Sequence, residues 1–224
     1  MAKTTRGSER RADALTRERI VEAAIGLLDA EGEAGLTFRA LAARLETGHG
    51  AIQWHVANKA ELLRAATDDV IARAMPEVGP GAEPREAVRA IASGVFDAID
   101  AHPWVGAELS REPWQSTLLR IFESVGVQLQ ALGVPEPAQF DCASAILSYT
   151  LGLAGQYAAG VRLLTRDTDR SAFLATLAAQ WEQLDPVQYP FTRQSATRLR
   201  EHDDREQFLA GIDLILTGVM ASPR

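Results

Sequence analysis

The chain has 224 residues and a formal net charge of −7, with 46% hydrophobic and 24% charged residues. These proportions are typical of a folded globular protein and exclude disorder over most of the length. The single cysteine excludes an internal disulfide and any metal site built from several cysteines. The acidic balance excludes a protein whose whole surface binds nucleic acid.

The charge is unevenly distributed along the chain. Residues 1–60 hold nine Lys/Arg against eight Asp/Glu, whereas residues 61–224 hold fourteen against twenty-two. The polar and basic start predicts a flexible arm over residues 1–15, with no secretory signal. Any contact with a polyanion is therefore expected toward the N-terminal end.

Apolar residues at helical spacing predict an all-α chain. The N-terminal helices are predicted at about 16–31, 37–45, 49–56 and 58–75. Suitable N-cap residues begin three of them, and Gly32 is predicted to end the first. The predicted N-caps are Thr16, Thr37 and Asn58, the last with Glu61 at the spacing of a capping box.

The clearest boundary in the chain is the Pro- and Gly-rich segment 77–84. It predicts an N-terminal domain over 16–75 and a C-terminal domain over 84–224. Helical patterns then follow at about 85–101, 104–110, 114–132, 138–164, 170–183 and 204–220. Residues 142–161 carry no charge, but their Ser, Thr, Gln and Gly content favours a buried bundle helix over a membrane span.

Residues 36–62 have the dimensions of a helix-turn-helix: a short capped helix, a tight turn and a second short helix. Small residues, Ala42 and Ala51, stand where the two helices would cross. The predicted inward face of the second helix consists of Ala51, Ile52, His55 and Val56. The outward face then carries His49, Gly50, Gln53 and Trp54.

This outward face has the chemistry of a DNA contact. Gln53 is able to pair with adenine in the major groove. Phosphate contacts suit His49, Trp54 and Lys59, and also Thr37 and Arg39 at the start of the preceding helix. The alternative is a helix-turn-helix corner inside a bundle, with Trp54 and His55 as packing residues and Lys59 as a solvated lysine.

Residues 16–74 resemble the DNA-binding domain of the tetracycline-repressor (TetR) family. The resemblance lies in RIVEAAIGLLDAEGEAGLTFRALAARL and GAIQWHVANKAELL, most specifically in the run from Trp54 to Lys59. It implies that the segment from Thr37 to Val56 contacts DNA, that Lys59 docks on phosphate, and that His55 lies at or just behind the DNA face. The implied DNA-binding set is Thr37, Arg39, Thr47, Gly48, His49, Gly50, Ala51, Gln53, Trp54, His55 and Lys59.

Three positions depart from the family pattern. Thr47 replaces the usual apolar turn residue, Gly48 replaces the usual Ser-like cap, and Gln53 replaces the usual Tyr. The first two are expected to loosen the turn. The third removes an aromatic phosphate contact and changes the expected operator sequence.

The segments AHPWVGAEL and DREQFLAGIDLILTGVM are similar to the C-terminal domain of the tetracycline-repressor subgroup. This likeness implies a helical core for ligand binding and dimerisation, with helices 138–164 and 204–220 of each protomer in a four-helix interface. Bulky side chains with few polar groups are typical of a small-molecule pocket, although aromatic residues at helical spacing belong to a core more often than to a ligand site. The candidates are Phe96, Trp104, Trp114, Phe122, Tyr149, Leu153, Tyr157 and Trp181.

Motifs for catalysis or metal binding are missing from the sequence. There is no Gly-rich phosphate loop, no His-Glu-x-x-His and no Gly-x-Ser-x-Gly. We expect no enzyme activity, cofactor or metal, and we expect His102 to cap or pack. The histidines with which tetracycline-binding family members hold a drug–magnesium complex align with Met75 and Leu109, which predicts no such chelation.

The predicted function is that of a dimeric, cytoplasmic, ligand-responsive transcriptional regulator, with no membrane contact. Such a protein would act as a repressor that a small organic ligand releases from a palindromic operator. The alternative is a helical small-molecule-binding or interaction module with weak, non-specific DNA contact.

Overall fold

The structure is a computed structural model that describes residues 15–79, 81–111, 116–163 and 170–221, apart from the side chains of 154 and 157–163. These residues form eleven helices and no strand, which confirms the all-α prediction. Most of the predicted basic arm lies outside them. The helices are α1 (Arg17–Gly35), α2 (Phe38–Arg44), α3 (His49–Gln53), α4 (Lys59–Ala74), α5 (Pro84–Ala101), α6 (Pro103–Leu109), α7 (Ser116–Ala131), α8 (Glu136–Leu163), α9 (Arg170–Glu182), α10 (Pro190–Arg200) and α11 (Asp204–Ala221).

The three predicted N-caps are confirmed at the starts of α1, α2 and α4. In Thr16, Thr37 and Asn58, the side-chain oxygen accepts the backbone N–H three residues further along, at 2.9–3.2 Å. Each cap satisfies a donor that has no partner within the helix and is worth about 1 kcal/mol.

Gly32 interrupts α1, because its backbone angles are not helical. Its φ of +67° lies in the left-handed region that glycine adopts without a steric penalty. Helical structure continues to Gly35, where the N–H of Leu36 donates to the carbonyl of Glu33 at 3.3 Å. The predicted stop at Gly32 is therefore confirmed as a break in the regular helix, and the sequence did not predict the short helical turn that follows it.

One hydrophobic core joins the N-terminal and C-terminal helices. Its residues come from α1 to α4 and continue through α5, α6, α7, α8 and α11. The end of α4 packs directly on α5 at Gly94, where a Cβ would collide with the carbonyl of Ala74. Glycine at this position therefore permits the close approach of the two helices.

Helix α10 occupies a region for which the sequence predicts no helix. Pro190 begins it in a favourable first position, but among its residues only Ala196 is buried. With so few apolar residues, no core-facing period is visible in the sequence. The helix packs mainly against α9, across a turn in which the Asp185 carboxylate accepts two backbone N–H groups. These bonds lower the pKa of Asp185.

Helices α8 and α11 each bury one face and expose another. The buried faces carry Ala143, Leu147 and Thr150 on α8 and Phe208, Ile212 and Leu216 on α11. Small residues of α8 and Leu214 of α11 remain exposed, so α8 is not covered on all sides within one protomer. Among the described residues, no helix combines the length and apolar character that a membrane span requires.

Candidate nucleic-acid interface and ligand region

Local interactions define both ends of α2. Leu36 and Leu41, at the spacing of a hydrophobic staple around the Thr37 cap, are both buried. Beyond the helix, Glu46 adopts a φ of +50°, and the N–H of Thr47 donates to the carbonyl of Ala42 at 3.0 Å. This turn leads the chain into α3.

Helix α3 is oriented as the sequence pattern predicts. Ile52 is completely buried, and Val56 is 1% exposed, so these two residues anchor the segment to the core. Ala51 and His55 are half-buried, and the outward residues His49, Gly50, Gln53 and Trp54 are all exposed. The indole of Trp54 is 90% exposed, which is unusual for so large an apolar group and indicates a surface for a partner.

The start of α3 has no side-chain cap. Gly48 is its N-cap, with an extended φ of −83° that any residue adopts, and no side-chain bond is made there. The helix is closed at this point by the N–H of Ala51, which donates to the Gly48 carbonyl at 3.0 Å. The burial of Ile52 therefore holds α3 in place.

His49 is stacked on Phe38 instead of extending freely from the surface. The two ring centroids are 5.3 Å apart, with planes inclined at 26°. Phe38 is the first residue of α2 and is not among the residues predicted to contact DNA. The sequence did contain a signal for this position, because Phe38 directly follows the Thr37 cap and therefore lies at the same helix end as the predicted contact residue Thr37.

Lys59 is the first residue of α4 and is tied to the kinked end of α1. Its Nζ donates to the carbonyl oxygen of Glu33 at 2.6 Å. An ammonium group has three N–H donors, so two remain for a phosphate. The structure therefore places the charge of Lys59 at a fixed position beside the start of α4.

A network around Glu61 fixes the corner between α3 and α4. Its Oε2 accepts the N–H of Ala57 at 2.8 Å, and its Oε1 accepts from Arg17 at 3.3 Å. These contacts, led by the backbone N–H, lower the pKa of Glu61. The sequence spacing of Asn58 and Glu61 signalled the capping box, whereas the contribution of Arg17 was missed.

The remaining predicted DNA-binding residues also lie on the helix-turn-helix. Thr37 and Arg39 at the start of α2 are exposed, and Thr47 in the turn is half-buried. Within the described part of the chain, Arg39 makes no ion pair or hydrogen bond. Its guanidinium is thus available to an anionic partner.

Two predicted ligand residues belong to an aromatic stack in the C-terminal core. Phe208 lies between Phe96 and Tyr149, with centroid distances of 5.0 and 5.6 Å. A Cβ on Gly211 would collide with the phenol of Tyr149, so glycine there makes room for the ring. Burial raises the pKa of Tyr149. Both predicted residues therefore contribute to core packing.

The structure also describes the side chains of Phe122, Trp181 and Leu153 among the predicted ligand residues. Phe122 meets Phe140 edge-on at 5.9 Å, and Trp181 is half-buried on α9. Leu153 is half-buried on α8. Trp114 and the side chain of Tyr157 lie outside the described residues.

Trp104 faces the N-terminal helices. Its Nε1 donates to Asp29 Oδ1 at 2.7 Å, and the Nδ1 of His102 lies 2.8 Å from the same oxygen. Arg111 reaches Glu33 in the same way, with a nitrogen–oxygen distance of 2.7 Å. These contacts join α6 and its flanks to α1 and give His102 the packing role that its sequence context predicts.

Two cavities lie at this junction, with volumes of about 700 and 250 Å³. The larger is lined by α1, α2, α4 and α5, and the smaller includes Trp104. Among the predicted ligand residues whose side chains the structure describes, Trp104 alone lines either of these two cavities.

The profile of the tetracycline repressor-like C-terminal domain matches residues 79–222. The profile of the tetR family of bacterial regulatory proteins matches residues 20–66, which include the helix-turn-helix described above. The chain belongs to the tetR family. It is accordingly a DNA-binding regulator of transcription.

Several tetR-family proteins are similar to this chain over most of its length. A TetR transcriptional regulator of Streptomyces coelicolor is 54% identical, with a TM-score of 0.85 over 94% of this chain and 100% of that one. ActR of the same organism, in complex with actinorhodin, is 26% identical, with a TM-score of 0.74 over 92% of this chain and 96% of ActR. An HTH-type transcriptional regulator of Saccharopolyspora erythraea is 31% identical over 139 residues, which are 62% of this chain and 59% of that relative.

This tetR-family chain shows no metal-binding group of three or more His, Cys, Asp or Glu side chains within its described residues.

Burial raises the pKa of the Cys142 thiol, and a raised pKa lowers the fraction of reactive thiolate.

Proposed function

We propose that the protein is a homodimeric repressor that leaves a palindromic operator when a small organic ligand binds its C-terminal domain. The observation that carries the proposal is the outward face of α3. There Gln53 and the 90% exposed Trp54 project from a helix that buried Ile52 holds in place. Such a helix has the form of the recognition element that docks in a major groove.

The division of contacts follows from the chemistry of each side chain. Gln53 is proposed to contact a base edge, because its amide both donates and accepts. Lys59, Arg39, Thr37, His49 and Trp54 are proposed to contact phosphates, which position the domain without specifying sequence. Thr47, Gly48, Gly50, Ala51 and His55 would lie at or just behind this face.

The C-terminal domain is proposed to bind the ligand and to hold the dimer together. The exposed small residues of α8 and the exposed Leu214 of α11 support a four-helix interface between protomers. The complex of ActR with actinorhodin supports an organic ligand. We propose domains over 16–75 and 84–224, no catalytic step, and action in the cytoplasm, where a bacterial operator lies.

The test is fluorescence anisotropy of the purified protein with labelled DNA from upstream of its own gene and with scrambled DNA. We expect a preference of ~10³ or more for the operator. Gln53→Ala should reduce the binding free energy for the preferred base by about 1–3 kcal/mol at one base pair. The base preference at the other positions should be unchanged. Gln180→Ala, on an exposed position of α9, is the matched control.

A selection of bound fragments from the whole genome accompanies the assay, so that a distant operator is also found. Recovery of a palindromic site bound by one dimer would support the proposal. Equally weak binding to every fragment would overturn it and would leave a ligand-binding module with non-specific DNA contact.

A further inference from the structure

The larger cavity, which we call the interdomain cleft, lies between the DNA-binding helices and the C-terminal domain. Helices α1, α2 and α4 form one side, and α5 forms the other. Its volume of about 700 Å³ is within the range of small-molecule sites. The recognition helix α3 contributes no residue to its walls, so its contents are separate from the DNA contacts.

Small apolar residues create the space in the interdomain cleft. Ala23 and Gly26 of α1, Ala74 of α4, and Ala98 and Ala101 of α5 all line it. None of these side chains extends beyond a methyl group, so they leave the space between the helices unfilled and form an apolar floor. Such a floor favours the apolar body of an organic molecule.

The acidic side chains of the interdomain cleft are already paired. Glu22 accepts from Arg73 at 2.9 Å, and Asp97 accepts from Arg205 at 2.8 and 3.2 Å. Asp29 accepts from Trp104 at 2.7 Å. All three carboxylates are thus engaged by donors of the chain itself, and two of them, Glu22 and Asp97, are paired with a cation.

Arg44 differs from these residues. It lines the interdomain cleft, but it makes no ion pair or hydrogen bond within the described part of the chain. Its guanidinium lies over Gly26, and a Cβ there would come within 2.6 Å of Nη2. Glycine at this position therefore leaves the space that the guanidinium occupies, and the forked donors of Arg44 remain unused.

We propose that the interdomain cleft is a second small-molecule site, which binds an amphipathic organic anion. The sulfonate or carboxylate of the ligand pairs with Arg44, and its apolar body lies on the floor of small residues. This site is additional to the ligand region proposed within the C-terminal domain.

The experiment is calorimetric titration of the full-length protein with 8-anilinonaphthalene-1-sulfonate, an aromatic anion. Arg44→Gln removes the charge, and Gly26→Ala keeps the charge but displaces the guanidinium. Ala101→Phe fills the mouth of the cleft from an exposed helix end. Each of these three variants should raise the dissociation constant for the dye about tenfold or more. Binding of N-phenyl-1-naphthylamine, which has no sulfonate, should be unchanged in Arg44→Gln.

The matched controls are Arg120→Gln and Ala131→Phe, at exposed positions of α7. Their dissociation constants for the dye should stay within about twofold of the wild-type value. Melting temperatures identify any variant that fails to fold. Equal anion affinity in all variants would overturn the proposal, because the dye would then bind elsewhere. Weaker binding in Arg44→Gln without an effect of Ala101→Phe would also overturn it. The operator assay of the unliganded protein is independent of either outcome.

Discussion

Lys59 illustrates how one neighbour changes what a residue is expected to do. The sequence presents it as a lysine at the start of a helix, free to sample many rotamers. In the structure its Nζ is held 2.6 Å from the Glu33 carbonyl, at the kinked end of α1. A pre-positioned ammonium group loses less side-chain entropy when it meets a phosphate. Its proposed contact with a phosphate would therefore be electrostatic and independent of DNA sequence.

Replacing Lys59 by alanine should weaken binding to operator and scrambled DNA alike. The slope of log K against log salt should fall by about 0.9, because one phosphate contact is lost. Anisotropy titrations at several salt concentrations measure this slope. Lys59→Arg should retain it, and Arg120→Ala, on the exposed face of α7, is the control. A slope unchanged in Lys59→Ala would remove the phosphate assignment.

At the scale of elements, the junction of α3 and α4 is held by a short network of local bonds. Asn58 caps α4, and Glu61 reaches back to the N–H of Ala57 while also pairing with Arg17 of α1. The network connects the recognition helix to the first helix of the domain. Its strength depends on the ionised state of Glu61.

The stability of this junction should depend on pH. The pKa of Glu61 is lowered from its ordinary value of 4.5, first by the Ala57 N–H and then by Arg17. Its stabilising contribution is therefore complete above pH 4.5 and is lost as the pH falls through the lowered pKa.

Urea unfolding of the wild type and of Glu61→Gln, measured from pH 3 to about pH 7, tests this expectation. The variant should have a lower free energy of unfolding than the wild type near neutral pH. The difference between the two free energies should shrink below pH 4.5. Glu123→Gln, on the exposed face of α7, is the matched control. A difference between wild type and Glu61→Gln that stays constant over the whole range would contradict the role of the ionised carboxylate.

At the scale of the whole molecule, α8 and α11 leave one side of their surface uncovered within the protomer. The exposed side of α8 carries Ala145, Ser148 and Gly152, and Leu214 of α11 is 75% exposed. Small residues permit close helix approach, and exposed leucine gains from burial. Two copies of this surface would bring two recognition helices to a two-fold symmetric site.

Leu214→Arg should convert the dimer to a monomer, because the new charge would be buried in the interface. Since Leu214 is exposed within the protomer, the protomer should still fold. Sedimentation equilibrium measures the monomer–dimer association. The affinity of the variant for the operator should fall together with its dimerisation. Leu119→Arg, on a half-exposed residue of α7, should remain dimeric. A Leu214→Arg protein that is still a dimer would place the interface elsewhere.

Much of the DNA-binding domain was predictable because its determinants are local. The caps of Thr16, Thr37 and Asn58 each join residues three positions apart. The orientation of α3 follows from helical periodicity, which places Ile52 inward and Trp54 outward. Such features are present in any short window of sequence. In contrast, α10 is a polar helix that packs mainly on α9, and no apolar period in its sequence indicated it.

The amino-acid sequence by itself thus determined the all-α class, the helix starts and the outward face of the recognition helix. Tertiary structure alone decided what distant residues do. Phe96 and Tyr149 both stack on Phe208, although they lie far from it in the sequence. Trp104 and Asp29 meet across 75 positions of sequence. The physical reason is that burial and pairing depend on which surfaces the folded chain brings together, and no local pattern contains that information.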